Sequence, residues 1–160
     1  MTTSSACAPG PSCASEVSAR KSYQGTTARE NQPVVLVVDD DRSVLNSIGR
    51  VLSLEGMEVA SAIDPKDALD FTSRRIPDLV LTDLCMAPLT GWDLIAHLRG
   101  RHPHLPIFVV TALAPASANL ARNQVNAVFR KPMDFDRLVA AVGHQLARSG
   151  FARGHSASLR

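Results

Sequence analysis

A chain of 160 residues with 45% apolar and 20% charged residues is long enough to bury one ordinary core, with no disulfide or structural metal needed to hold it. A formal net charge of +2 is too small to argue for a nucleic-acid surface. Cys7, Cys13 and Cys85 are odd in number and give no disulfide framework. No signal-peptide core opens the chain, and the longest strongly apolar run, Val34 to Val38, is too short to cross a bilayer, so a cytoplasmic location without membrane contact is expected.

Residues 1–32 contain no Leu, Ile, Phe or Trp. Such a stretch cannot bury enough surface to offset its ordering entropy, so it is expected to be a disordered tail, with Cys7 and Cys13 as incidental thiols. The folded domain is expected over residues 33–148, and residues 149–160 form a second short tail.

Within that domain the pattern alternates. Val34-Val35-Leu36-Val37-Val38 is apolar without a break, as in a central strand buried on both faces. Asp41 can cap a helix carrying Val44, Leu45, Ile48, Val51 and Leu52 at helical spacing, and Gly56 can stop it. Met57 to Ala62 reads as a weaker edge strand. Asp64-Pro65 opens a second helix. Leu79-Val80-Leu81 is the third strand, Gly91 to about Arg101 the third helix, and Ile107-Phe108-Val109-Val110 the fourth strand. Pro115 to Asn123 is expected as a short fourth helix, Val125 to Phe129 as the fifth strand, and a last helix presents Phe135, Leu138, Val139, Val142 and Leu146 on one face. Trp92 is expected to pack at its helix start. His102 and His104, flanking Pro103, are expected to be solvated.

Five strands alternating with five helices give a parallel sheet covered on both faces, a flavodoxin-like three-layer α/β sandwich. In such sheets ligands sit beyond the carboxyl ends of the strands. There the sequence places Asp39-Asp40-Asp41, Asp83, Thr111 and Lys131-Pro132. An order of 2-1-3-4-5 gathers these into one pocket. Clustered carboxylates repel one another, and a divalent cation with oxygen preference removes that cost; Mg²⁺ takes one or two carboxylates and keeps waters that a phosphate can displace. A carboxylate can attack phosphorus to form an aspartyl phosphate, while metal, ammonium and hydroxyl groups stabilise charge on the equatorial oxygens.

Four motifs carry a resemblance: Val37-Val38-Asp39-Asp40, Asp83-Leu84-Cys85-Met86 leading to Gly91, Val109-Val110-Thr111-Ala112, and Lys131-Pro132. In this order, at the ends of the right strands, they resemble the receiver domains of two-component response regulators over residues 33–148. The resemblance implies that Asp83 is the phosphoacceptor. It implies a Mg²⁺ site, with Mn²⁺ as a substitute, made by Asp40, by Asp39 acting through water, by Asp83 and by the Cys85 backbone carbonyl. Thr111 and Lys131 would hold the phosphoryl group beside the small Ala112, with Pro132 in a cis turn or loop. A sensor histidine kinase or histidine phosphotransfer protein would be the donor. The chain ends soon after the last helix and encodes no DNA-binding domain, so a stand-alone switch acting on a downstream protein target is expected.

The sequence departs from the family pattern at several points. Ala87 stands where Pro usually follows the Met, with Pro88 one residue later. Val128 replaces the aromatic residue often found three positions before the Lys, and Phe129 should face the other way. The stretch from Thr111 to Lys131 is slightly short and lacks a Gly before the fifth strand. These features argue against output through the usual face around the fifth strand. Cys85 and Leu113, two residues beyond Asp83 and Thr111, would not position an attacking water, so slow self-dephosphorylation is expected. Two other functions compete: a small phosphatase of the haloacid-dehalogenase type, with Asp39 as nucleophile and Asp41 as general acid, and a constitutive adaptor that is never phosphorylated.

Overall fold

The computed structural model describes residues 32–112 and 125–150. Five strands form one parallel sheet: β1 (Val34–Val38), β2 (Glu58–Ala62), β3 (Leu79–Thr82), β4 (Ile107–Thr111) and β5 (Ala127–Arg130), in the order β2-β1-β3-β4-β5. The helices are α1 (Arg42–Leu54), α2 (Pro65–Arg74), α3 (Gly91–Arg101) and α4 (Phe135–Arg148). The expected helix over Pro115 to Asn123 lies outside the described residues, as do Leu113, Cys7, Cys13 and nearly all of both expected tails.

Every residue of β1, β3 and β4 is buried, because helices cover both faces and leave no side for polar residues. Alternation divides their side chains between two cores. Leu36, Val38, Val80, Ile107 and Val109 pack with Ala68 of α2 and with Leu94, Ile95 and Leu98 of α3. Val35, Val37, Leu79, Leu81, Phe108 and Val110 face the other way. There they meet Leu45, Ile48 and Leu52 of α1 and Leu138, Val142 and Leu146 of α4. Each such buried side chain contributes about 1.5–3 kcal/mol of apolar transfer.

The helix starts follow from local chemistry. The side chain of Asp41 accepts from the Ser43 N–H, Asp64 from Asp67, and Asp134 from Asp136 and Arg137. Thr90 and Asp93 form a reciprocal capping box on α3. Gly56, at φ +81°, takes the left-handed turn after α1, where a Cβ would be strained. Trp92 packs against the core beneath α3.

The fifth strand corrects the sequence reading. It covers Ala127–Arg130 rather than Val125 to Phe129. Asn126 breaks the run because its side-chain oxygen accepts from the Ile107 N–H at 2.9 Å, and its own N–H donates to the Ile107 carbonyl at 2.7 Å. The ladder then continues to Arg130, opposite Thr111. Phe129 turns inward, with ring centroids 5.7 Å from Phe108, while Val128 is 38% exposed on the opposite side.

Candidate functional site

The carboxyl ends of β1, β3, β4 and β5 converge on one cluster. The backbone carries the ladder one residue past two strands: Asp39 N–H donates to Ala62 at 3.2 Å, and Asp83 N–H to Val38 at 3.0 Å. Both aspartates are therefore held where the sheet ends, and both are buried, at 2% and 6% exposure. Asp40, next along, is exposed. Carboxylate oxygens of Asp39, Asp40 and Asp83 lie within 4.8 Å of one another.

Lys131 reaches into this cluster from β5. Its N–H donates to the Thr111 carbonyl at 2.9 Å, which continues the ladder beyond Arg130, and the Lys131-Pro132 peptide is cis. Its ammonium donates to Asp39 Oδ2 at 2.6 Å and to Asp83 Oδ2 at 2.7 Å. The remaining oxygens have backbone partners. Asp39 Oδ1 accepts from the Asp41 N–H at 2.9 Å. Asp83 Oδ1 accepts from Leu84 at 2.5 Å and Cys85 at 3.1 Å. Thr111 ends β4 fully buried, and Ala112, its neighbour, is exposed.

Electrostatics decide what the cluster needs. Burial pushes the Asp39 carboxyl above its ordinary value, and the Lys131 and Asp41 hydrogen bonds only partly offset that. Burial pulls the Lys131 ammonium down, but hydrogen bonds and charge from Asp39 and Asp83 outweigh it, and the net shift is upward. Three carboxylates against one ammonium leave two formal negative charges. A divalent cation matches that excess, and an all-oxygen donor set suits a hard ion such as Mg²⁺. Among the described residues no donor meets the Cys85 carbonyl, which leaves it available as a further oxygen ligand. The residues present fit the ion.

Two contributors are not evident from sequence roles. Thr82 Oγ1 donates to the Asp83 carbonyl at 2.8 Å and is buried. A hydroxyl ending an otherwise apolar strand is the signal that could have found it. Gly91, first residue of α3, packs against the backbone of Asp83 and Leu84. A Cβ there would overlap the Asp83 carbonyl oxygen and stand 2.9 Å from the Leu84 Cα. The loop between them keeps Leu84 and Met86 buried and Cys85 exposed, and its Ala87-Pro88 peptide is cis.

Asp41, the general acid of the phosphatase alternative, caps α1 instead. The Ser43 N–H that it accepts, at 2.7 Å, lowers its carboxyl below the usual range. Among the described residues no helix is long and apolar enough to cross a membrane.

Comparison with known proteins agrees with this geometry. The family model for the response regulator receiver domain matches residues 35–143. The transcriptional regulatory protein PrrA of Mycobacterium tuberculosis is 37% identical over 120 residues, covering 74% of this chain and 52% of the relative. The response regulator MprA of Mycolicibacterium vanbaalenii is 37% identical over 117 residues, 72% of this chain and 51% of the relative. The chain thus spans about half the length of the curated relatives it matches. Among solved structures, a response regulator receiver domain protein from Clostridium thermocellum superposes with a TM-score of 0.70 at 26% identity, over 75% of this chain and 98% of that one. The receiver domain of NtrX from Brucella abortus gives 0.66 at 28% identity, over 71% and 98%.

Proposed function

Since the chain belongs to the response regulator receiver family, we propose that it is a phosphorylation switch in which Asp83 takes a phosphoryl group. The donor is a sensor histidine kinase or a histidine phosphotransfer protein, and the setting is cytoplasmic. The observation that carries this reading is the Lys131 ammonium, shared at 2.6 and 2.7 Å between Asp39 and Asp83 inside a cluster of three carboxylates. A lysine so placed already sits where the charge of a phosphorylated Asp83 would need it.

Each residue has a part in the step. Two backbone N–H groups on Oδ1 hold the Asp83 carboxylate in one orientation, which is the positioning that phosphoryl transfer depends on. Asp83 Oδ2 has the Lys131 ammonium as its partner, a donor that can pass to a phosphoryl oxygen. An Asp83 oxygen bonds to phosphorus as the bond from phosphorus to the donor's imidazole nitrogen, or to the acetate oxygen of acetyl phosphate, breaks. Lys131 and the Thr111 hydroxyl stabilise charge on the equatorial oxygens, and Ala112 leaves the approach open. Asp39, Asp40, Asp83 and the Cys85 carbonyl would hold Mg²⁺, which when bound supplies compensating positive charge to the carboxylates and the incoming phosphoryl oxygens. Asp83 is a self-modifying acceptor in this reading, with no separate substrate turned over. Output is by contact with a downstream protein target.

Intact mass after incubation with acetyl phosphate and Mg²⁺ tests this. One added phosphoryl group is expected, absent with chelator and absent in Asp83→Asn. A gain that survives in Asp83→Asn would move the acceptor to Asp39 and revive the phosphatase alternative. No gain in the native protein would favour the constitutive adaptor.

A further inference from the structure

Opposite the acidic pocket, where β3 and β4 begin, the surface carries the other charge. Two adjoining cavities of about 420 and 430 Å³ share Ile76, Arg101 and His102, and so form one open trough. Its basic side chains are Arg74, Arg101, His102 and His104; its apolar lining includes Ile76, Pro77, Pro103 and Leu105. Asp78 is the one acid lining it, and its carboxylate is taken by the Val34 N–H at 2.8 Å.

Arg74 and Arg101 lie in the last turns of α2 and α3, where a cation offsets the helix dipole. That explains their helix ends and nothing more. Among the described residues neither guanidinium meets a carboxylate within ion-pair distance. Nor does the dipole explain Ile76, which stands 60% exposed between them. Arg74 Nε donates to the Asp70 carbonyl at 3.1 Å, which leaves its charge without a carboxylate, and an exposed large apolar side chain beside cations that no carboxylate neutralises marks a recognition surface.

We propose that this trough docks an acidic segment of a partner protein, with an apolar side chain of that segment against Ile76 and its carboxylates on Arg74 and Arg101. The chain's own undescribed segments do not fit by charge. Residues 1–31 hold two acids against three bases, and residues 113–124 and 151–160 hold bases and no acid. The chain's formal net charge of +2 supplies no broad basic field of the kind a phosphate backbone needs.

The test is a titration of the ¹⁵N-labelled full chain, at low salt, with a blocked peptide probe in which Asp and Glu flank a Leu-Phe pair. Amide shifts are expected in residues 72–76, Asp78, Arg101, His102, His104 and Leu105. Binding should weaken by roughly tenfold in Arg74→Gln/Arg101→Gln, as the loss of two charged contacts implies, and severalfold in Ile76→Ser. These side chains face solvent, so melting temperatures should stay near the native value. Charge reversal by Arg101→Glu gives a second variant should the double one melt early. Asp83→Asn should bind the probe as the native chain does, which separates this surface from the switch. Shifts confined to other residues, or affinity unchanged in the variants, would overturn the proposal. So would inorganic phosphate moving the same amides as far as the peptide does, which would mark a small-anion site instead. Concentration-dependent self-association blocked by Arg101→Glu would replace the partner with a second copy.

Discussion

Gly91→Ala should destabilise the protein even though it puts a better helix former into α3. Propensity alone predicts a gain of up to about 1 kcal/mol. The structure predicts the reverse, because the new Cβ would overlap the Asp83 carbonyl oxygen and press on Leu84 Cα at 2.9 Å. Both neighbours are backbone, so neither can rotate away as a side chain could. Relief requires α3 to move off the Asp83–Leu84 backbone, which strains the Gly91 N–H bond to the Leu84 carbonyl at 3.2 Å. Overpacking of this type costs about 1–3 kcal/mol, and a weakened hydrogen bond adds about 1 kcal/mol. The net expectation is a loss of about 2 kcal/mol, or roughly 8 °C in melting temperature for a domain of this size. Gly143, inside α4, is the internal control. Nothing lies within 4 Å of its Cβ position, so Gly143→Ala should gain up to about 1 kcal/mol. Urea unfolding with a shared m-value measures both, and acetyl phosphate labelling reads whether Asp83 has shifted. If Gly91→Ala is as stable as the native protein and labels at the native rate, the close-approach argument is wrong.

Mg²⁺ should raise the melting temperature of the native protein, by about 2.7 kcal/mol of stabilisation at a hundred times its dissociation constant; Asp40→Ala should lose most of that gain in a thermal scan. With chelator present, Asp39→Asn should be more stable than the native protein at pH 7. The Asp39 pKa is raised in the folded state, so the native protein binds this proton more readily than the unfolded chain and loses stability as pH rises through that window; the variant's advantage should shrink as pH falls below the raised pKa, as urea midpoints at pH 7 and pH 4 would report. Cys85→Asn should shorten the lifetime of the phosphorylated form severalfold, because an amide two residues beyond Asp83 can orient a water that the exposed thiol does not; decay at the native rate, followed by intact mass, would sink that idea.

Where the sequence was legible, the reason is periodic burial or local hydrogen bonding. Unbroken apolar runs marked β1 and β4 because both faces of the sheet are covered. Asp41 and Asp64 marked helix starts because a cap needs only its own next few residues. The cluster of Asp39, Asp40, Asp83 and Lys131 was legible because each sits at or just past a strand end, where the topology alone gathers them. Three things were not. The start of β5 depends on Asn126 bonding to Ile107, nineteen residues away, and no local pattern carries that. The reach of Gly91 to the Asp83 carbonyl depends on how α3 docks, which a motif can mark but cannot explain. The basic trough was missed for a related reason: Arg74, Ile76, Arg101 and His102 come from two separate helix ends, and read singly each is an ordinary surface residue.

The carboxylate cluster is also where this fold gives up stability. Two carboxylates are buried at the ends of β1 and β3 with one ammonium between them, and at Asp39 the cost of burial exceeds what the lysine returns, so its carboxyl remains shifted upward. A purely structural solution would place apolar residues at these strand ends, as the fold does along all of β1 and along Leu79 to Leu81 of β3. Keeping the charges leaves the cluster two formal charges short of balance, so its energy depends on what cation or phosphoryl group is present. The dependence reaches the rest of the molecule through Lys131. Its ammonium ties β5 to the ends of β1 and β3, while its N–H extends the β4–β5 ladder. Any change in what holds that ammonium is therefore felt first along β5, the edge strand. Val128, not an aromatic ring, meets solvent there, so no ring at that position can report the change by swinging between buried and exposed positions.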